Sequence, residues 1–287
     1  MTENHRGKNA AFISLCVLSL LAFGAQAREP VSHRAIYDIA LASTNAGAAG
    51  VVNAHGKLSN SLQKVCDHWE TEGVFSLDVG YETAGLETTN WKQTTRESAD
   101  GCFFEFDVFV REKGKDRKEL SGKAVCDNKG KKKVALSFPV KSQAVFPNNV
   151  AFPVQQTLRL LQAAQKGERN VSSYVFDGTK PDALYFMNAM ITQAPAFKSE
   201  KVKENDSLLA GKKAYRFDAA FFQEFTHGKQ DGTPLYEVSL YYYENGISDH
   251  IEQDFGKYRL RSTLVKLEPL KDIPCPSKNK RQTLTSP

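Results

Sequence analysis

Apolar and polar residues alternate with period two along most of the chain beyond residue 30. In "HRAIYDIAL" the side chains of Ala35, Tyr37, Ile39 and Leu41 fall on one face, and in "FFEFDVFV" Phe104, Phe106, Val108 and Val110 do the same. Alternation of this kind marks strands with one buried face. About fourteen such segments can be counted, set apart by turn signals at Asn45-Ala-Gly47, Asp100-Gly101, Asp177-Gly178 and Asp231-Gly232. Asn245-Gly246, between two alternating runs in "LYEVSLYYYENGISDHIEQDF", is the strongest short-range hairpin signal.

One segment has a different period. In "FPVQQTLRLLQAAQKG", from Phe152, Val154, Leu158, Leu161 and Ala164 or Gln165 recur at helical spacing. Pro153 suits a first turn and Gly167 a C-terminal stop. A helix is therefore predicted over Val154 to Lys166, buried on its Leu158 and Leu161 side. So short a helix cannot bury a stripe alone. The pattern predicts a mainly β fold: one large, strongly curved antiparallel sheet, open-barrel-like, wrapped around a single helix that enters between the sequence halves. No fixed-period repeat or low-complexity linker divides the chain, so residues 28–277 read as one domain and 278–287 as a loose polar tail.

The first 27 residues change the picture of where the chain works. Arg6 and Lys8 precede an apolar run from Ala10 to Phe23, and Ala25-Gln26-Ala27 follows. That order is a secretory signal with cleavage after Ala27; the apolar run is shorter than the roughly 20 residues of a spanning helix. Cys16 follows Leu15 rather than a small residue, which makes it a poor lipid-attachment site. No later segment is apolar enough to span a bilayer. Removal of the signal leaves 287 − 27 = 260 residues and lowers the formal net charge from +5 to +4. An excess so mild does not point to nucleic acid, and its densest part, Lys129-Gly130-Lys131-Lys132-Lys133, reads as a solvated loop.

Of 5 cysteines, Cys66, Cys102, Cys126 and Cys275 remain in an exported chain, where disulfides form. A hairpin centred on Gly114 would set residue 102 opposite 126. At a non-hydrogen-bonded site such a pair has Cα atoms about 4.5 Å apart, within disulfide reach. A Cys102–Cys126 staple would leave Cys66 with Cys275; the alternative is two buried thiols at 102 and 126.

The sequence carries none of the familiar catalytic signatures. There is no Gly-x-Ser-x-Gly elbow, no phosphate-cradling glycine-rich run and no Cys-x-x-Cys. Cys66, Asp67 and His68, with His33 or His55, offer metal-ligand types without a paired ligand spacing. Glu82, Glu87 and Asp254 could face a sheet cavity as a glycosidase-like pair, which only a measured separation can establish. The expectation is therefore a chain with no catalytic residues, metal or cofactor. Tyr215, Phe217 and Phe221 share one strand face, and Tyr241, Tyr242 and Tyr243 precede the Asn-Gly turn. With Leu158 and Leu161 the first three either pack as core on the helix or line an unfilled apolar pocket.

Several of these elements together resemble the EipB family of exported α-proteobacterial cell-envelope integrity proteins: "HRAIYDIAL", "CDHW" from Cys66, Trp91 before the Asp100 turn, "FPVQQTLRLLQAAQKGER", "FDG" from Phe176, the Asn245-Gly246 hairpin, and "PCP" around Cys275. The resemblance spans nearly all of the chain after the signal. It implies a β-spiral around one helix, similar in shape to the lipoprotein carriers LolA and LolB, a disulfide between Cys66 and Cys275, and a periplasmic location. It also implies a noncatalytic role in envelope integrity and stress resistance through a periplasmic protein partner, such as a tetratricopeptide-repeat protein. A Lol-like carrier of an acyl chain, lipid or lipoprotein is the alternative. Cys102 and Cys126 fall outside the family pattern, so that staple rests on the hairpin register alone.

Overall fold

A computed structural model describes residues 29–44, 50–112, 115–181, 184–203, 206–223 and 232–276. The expected signal segment with Cys16, the expected turns at Asn45-Ala-Gly47 and Asp231, the expected hairpin centre Gly114 and the expected tail 278–287 lie outside the described residues. The strands are β1 (His33–Thr44), β2 (Val51–Val65), β3 (His68–Tyr81), β4 (Gly85–Ser98), β5 (Phe103–Glu112), β6 (Lys115–Cys126), β7 (Lys132–Phe138) and β8 (Ser142–Phe146). The helix α1 (Pro153–Gln165) follows, then β9 (Asn170–Phe176), β10 (Leu184–Gln193), β11 (Ala214–Gln223), β12 (Tyr236–Tyr243), β13 (Ser248–Asp254) and β14 (Tyr258–Pro269).

All these strands belong to one antiparallel sheet in which neighbours in sequence are neighbours in space, with one exception. β1 pairs with β14, from His33 opposite Pro269 to Thr44 opposite Tyr258. The sheet is thus two meanders, β1–β8 and β9–β14, joined through a single non-local ladder. It is mainly β, rolled and not closed: among the described residues no ladder links its outermost strands, β8 and β9. Side chains hold that seam instead. Phe146 on β8 and Phe176 on β9 bring their rings to 5.1 Å, and Phe176 meets Phe106 of β5 at 5.5 Å. Gly178, with φ +68°, ends this contact; a Cβ there would stand 2.6 Å from the Phe106 ring.

Helix α1 fills the roll. Phe152 is its N-cap and Pro153 opens the first turn. At the other end Gly167, φ +75°, donates its N–H to Ala164 O and Glu168 donates to Ala163 O, a Schellman closure. The buried residues are Val154, Gln156, Leu160, Leu161, Ala163 and Ala164. Leu158 is only half-buried, so the inward face is turned from the predicted Leu158–Leu161 stripe toward Leu160 and Ala163. Gln156 makes this possible: its amide nitrogen contacts Met187 Sδ at 3.4 Å and its oxygen accepts from Ser173 Oγ at 2.8 Å, so a polar residue is satisfied inside the core. Leu160, Ala163 and Ala164 pack against Tyr215, Phe217 and Ala219, with Phe221 at the edge of the same cluster.

The joint between the meanders is reinforced where chain ends meet. Cys66 holds φ 56° in the two-residue turn between β2 and β3, donates its N–H to Ile273 O at 2.7 Å, and lies with its Cα 4.3 Å from that of Cys275, to which it is disulfide-bonded. Ile273 N–H returns a bond to Lys64 O at 2.9 Å, and the Ser32 hydroxyl is bonded to Asp272. Cys102 and Cys126 form a second disulfide, Cα atoms 4.9 Å apart. Register runs from Phe103 opposite Val125 to Val108 opposite Leu120, as a centre at Gly114 requires, and shifts by one residue beyond a bulge at Phe109. Cys126 N–H donates to Cys102 O at 2.9 Å, so this pair sits at a hydrogen-bonded rather than an open site of the ladder.

Two outcomes are expected. Cys66→Ser with Cys275→Ser opens a crosslink of sequence separation 209, for which the chain-entropy model allows up to about 5 kcal/mol. The melting temperature should fall by on the order of 10 °C, and scanning calorimetry showing no change would refute the role given to this joint. Leu161→Ala should cost about 2–5 kcal/mol by denaturant titration and half-buried Leu158→Ala clearly less; equal losses would place the buried face where the sequence put it.

Candidate functional site

β2 and β4 depart from clean alternation: "SNSLQKV" and "TTNWKQTTRES" carry polar residues on both faces. Their inward positions therefore bring polar groups into the roll. Register aligns them in two adjacent rows, His33–Leu62–Thr71–Thr95 and Ala35–Asn60–Gly73–Gln93 across β1 to β4. Above these rows stand Pro153, Val154 and Thr157 of α1 and Tyr242, Gly246 and Ser248 of the β12–β13 hairpin. Together with Pro30 they line a chamber of about 260 Å³ that is partly open to solvent.

Its hydrogen bonding is neutral throughout. Thr71 and Thr95 join their hydroxyls at 2.7 Å, and Gln93 donates its amide to Asp177 O at 2.8 Å, which ties β4 to the β9–β10 turn across the roll. His33 is almost wholly buried, and burial lowers its pKa, so the ring is uncharged near neutral pH. Its Nδ1 lies 2.8 Å from Val31 O, a carbonyl that can only accept. The proton therefore sits on Nδ1, and Nε2 is left as an acceptor. Burial likewise raises the Tyr242 phenol, with a Thr157 hydrogen bond opposing. The lining has no carboxylate, thiol or amine.

Beside the chamber lies a polar lock on the helix. α1 has no side-chain cap of its own. Glu97 of β4 supplies one, accepting from Val154 N–H at 2.8 Å and Gln155 N–H at 2.7 Å, where unpaired donors and the helix dipole favour an acceptor. It is 1 % exposed, and burial pushes its carboxyl up to about 7 against those two bonds and Lys132. Lys132 contradicts the expected solvated loop: only its neighbours form a turn, closed by Asp127 Oδ1 accepting from Lys129 and Lys131 N–H. Lys132 begins β7, is 3 % exposed, and places Nζ 3.9 Å from the centroid of the Phe152 ring. Burial, with Arg159 nearby, brings it down to about 8.

The other residues singled out from sequence go elsewhere. Tyr215 and Phe217 are buried and Phe221 half-buried in the cluster on the helix, and with Leu158 and Leu161 they are absent from the chamber wall. Cys66 is committed to its disulfide. His68 contacts Asp67 and Glu70, and His55 lies 3.4 Å from Asp78. Glu82 and Glu87 are exposed, and Asp254 is tied to Arg259 at 2.7 Å; none faces the chamber, so the imagined carboxylate pair is not assembled there. Sequence reading missed Glu97, Asn60, Gln93 and Thr95. The signal available was the polar residue at every second position of β2 and β4.

These features define a class, an unclosed β-spiral with a helix in its seam and a small polar chamber beneath. The chain matches the family described as EipB-like over residues 24–271 and belongs to it. It is 29% identical over 257 residues to the cell envelope integrity protein EipB of Brucella abortus, covering 86% of this chain and 87% of that one. The crystal structure of a β-barrel-like protein of a domain of unknown function, also from Brucella abortus, superposes with a TM-score of 0.75 at 25% identity over 85% of this chain and 100% of that one.

The lock has a pH signature. A carboxyl near 4.5 unfolded and about 7 folded gives stability that is complete below pH 4.5 and lost as pH rises through 7, about 3 kcal/mol in all. Glu97→Gln does not titrate, so its melting temperature relative to wild type should rise between pH 5 and 7.5. A constant difference across that range would remove the assignment.

Proposed function

We propose that this protein works in the periplasm as a noncatalytic component of cell-envelope integrity and acts by contact with another protein. The family relation and the name of the Brucella relative support the envelope role. The N-terminal sequence and two disulfides fit an oxidising compartment.

The contrast between the two sheet edges carries the interaction reading. An edge strand exposes unpaired N–H and C=O groups and is normally covered or blunted. β9 is covered: Ala151 donates to Tyr174 O at 2.7 Å and accepts from Phe176 N–H at 3.0 Å, and α1 packs over it. β8 has β7 on one side only, and residues 142–145 are exposed. Exposed apolar groups cluster here: Val125 and Val145 flank Lys133 in one cross-strand row, and Phe138 and Val140 end the β7–β8 hairpin, Val140 being 71% exposed. A protruding hairpin of this kind suits the extended concave surface of a tetratricopeptide-repeat partner. A lipid-carrier reading has weaker support, because the aromatic face is packed on the helix and the chamber is polar.

Val140→Lys with Val145→Lys should leave the melting temperature unchanged yet fail to restore detergent resistance to a strain lacking the protein, whereas the wild-type chain restores it. Full restoration by the double variant would overturn this reading.

A further inference from the structure

The chamber beneath α1 has a lining of uniform chemistry, polar and uncharged. Its wall presents hydroxyls from Thr71, Thr95, Tyr242 and Ser248 beside the Asn60 carboxamide and the acceptor nitrogen of His33. Among the described residues neither the half-buried Asn60 nor His33 Nε2 has a protein hydrogen-bond partner, so both are open to the solvent or ligand that occupies the chamber. Polar groups so placed are satisfied by water and can exchange it for ligand groups of matching hydrogen-bonding character. The chamber has a volume of about 260 Å³. It is smaller than the ~300–1,000 Å³ usual for drug-sized ligands.

We propose that this chamber binds a small uncharged polyhydroxylated molecule of monosaccharide size, with an amide-bearing sugar as the best match. Neutrality follows from the wall, where no charged side chain faces inward and the carboxylate of Glu97 is spent on the helix N–H groups. Donors and acceptors are mixed, as hydroxyl and amide groups require, while Pro30, Leu62, Pro153 and the Tyr242 ring offer apolar surface to the C–H faces of a sugar. A fatty chain would leave the Asn60 and His33 groups without partners, at a cost that such a chain cannot recover. The inference does not depend on the partner contact at β8.

The test is saturation-transfer NMR on the exported chain, residues 28–287, with N-acetylglucosamine and decanoate as probes. Saturable signals at millimolar sugar and none from decanoate are expected. Asn60→Leu should weaken sugar binding at least tenfold, and Thr95→Val, which keeps the shape of the wall should the first variant not fold, at least threefold; Val145→Lys should leave it unchanged. Absence of sugar signals at 20 mM, preference for decanoate, or equal binding by a folded chamber variant would overturn the proposal.

Discussion

The pairing of β1 with β14 is the constraint on which the rest of the molecule depends. Every other ladder joins strands adjacent in sequence, the longest connection being residues 194–213 between β10 and β11, whereas this one closes almost the whole chain. Without it β1–β8 and β9–β14 would be separate meanders, each with one more open edge and neither able to enclose the helix. The rows that floor the chamber begin at His33 and Ala35, so the chamber exists only while that ladder positions β1. The entropy of so long a closure grows slowly with length but must be met before any long-range contact forms. It is met at one place by concentrated means: a disulfide, a reciprocal backbone pair at Ile273, and the Ser32–Asp272 hydrogen bond.

Glu97 carries a comparable local burden. A helix enclosed by a sheet cannot turn its first N–H groups to water, and Phe152 at the cap offers no acceptor. The carboxylate comes from a strand more than 50 residues away, so capping and docking of the helix become one event. Burial of a carboxyl and an amine near one another strains both near neutrality, since burial pushes Glu97 up to about 7 and brings Lys132 down to about 8. Between these values both are charged in a dry setting, an arrangement that hydrocarbon packing alone would avoid.

The fold was legible in the sequence because its elements are local. Period-two alternation at Ala35–Leu41 and Phe104–Val110 marks strands whatever they pair with, and Pro153 and Gly167 bound the helix. The 102–126 register was readable because a hairpin has a centre. The inward turn of the helix toward Leu160 was not, since Gln156 is tolerated inside only through Ser173 and Met187 from other strands. The chamber was hidden for a related reason. A polar residue on a strand reads as solvent-facing, and only the register across β1–β4 shows that Asn60, Thr71, Gln93 and Thr95 face inward together. Lys132 was misread alongside its solvated neighbours because charge runs carry no information on which member starts a strand.

The disulfide connectivity carries a further consequence for biogenesis. Sulfurs emerge in the order 66, 102, 126, 275, and the native bonds are nested, the short pair within the span of the long one. When the chain is oxidised from its N-terminal end, Cys66 must wait, or be freed from a premature bond with Cys102 or Cys126, until the last segment arrives. Vectorial oxidation that joins cysteines as they appear gives the wrong isomer, and thiol–disulfide exchange is slow without a catalyst. A cell that makes this protein therefore either keeps Cys66 reduced until residue 275 is available or supplies disulfide isomerase activity.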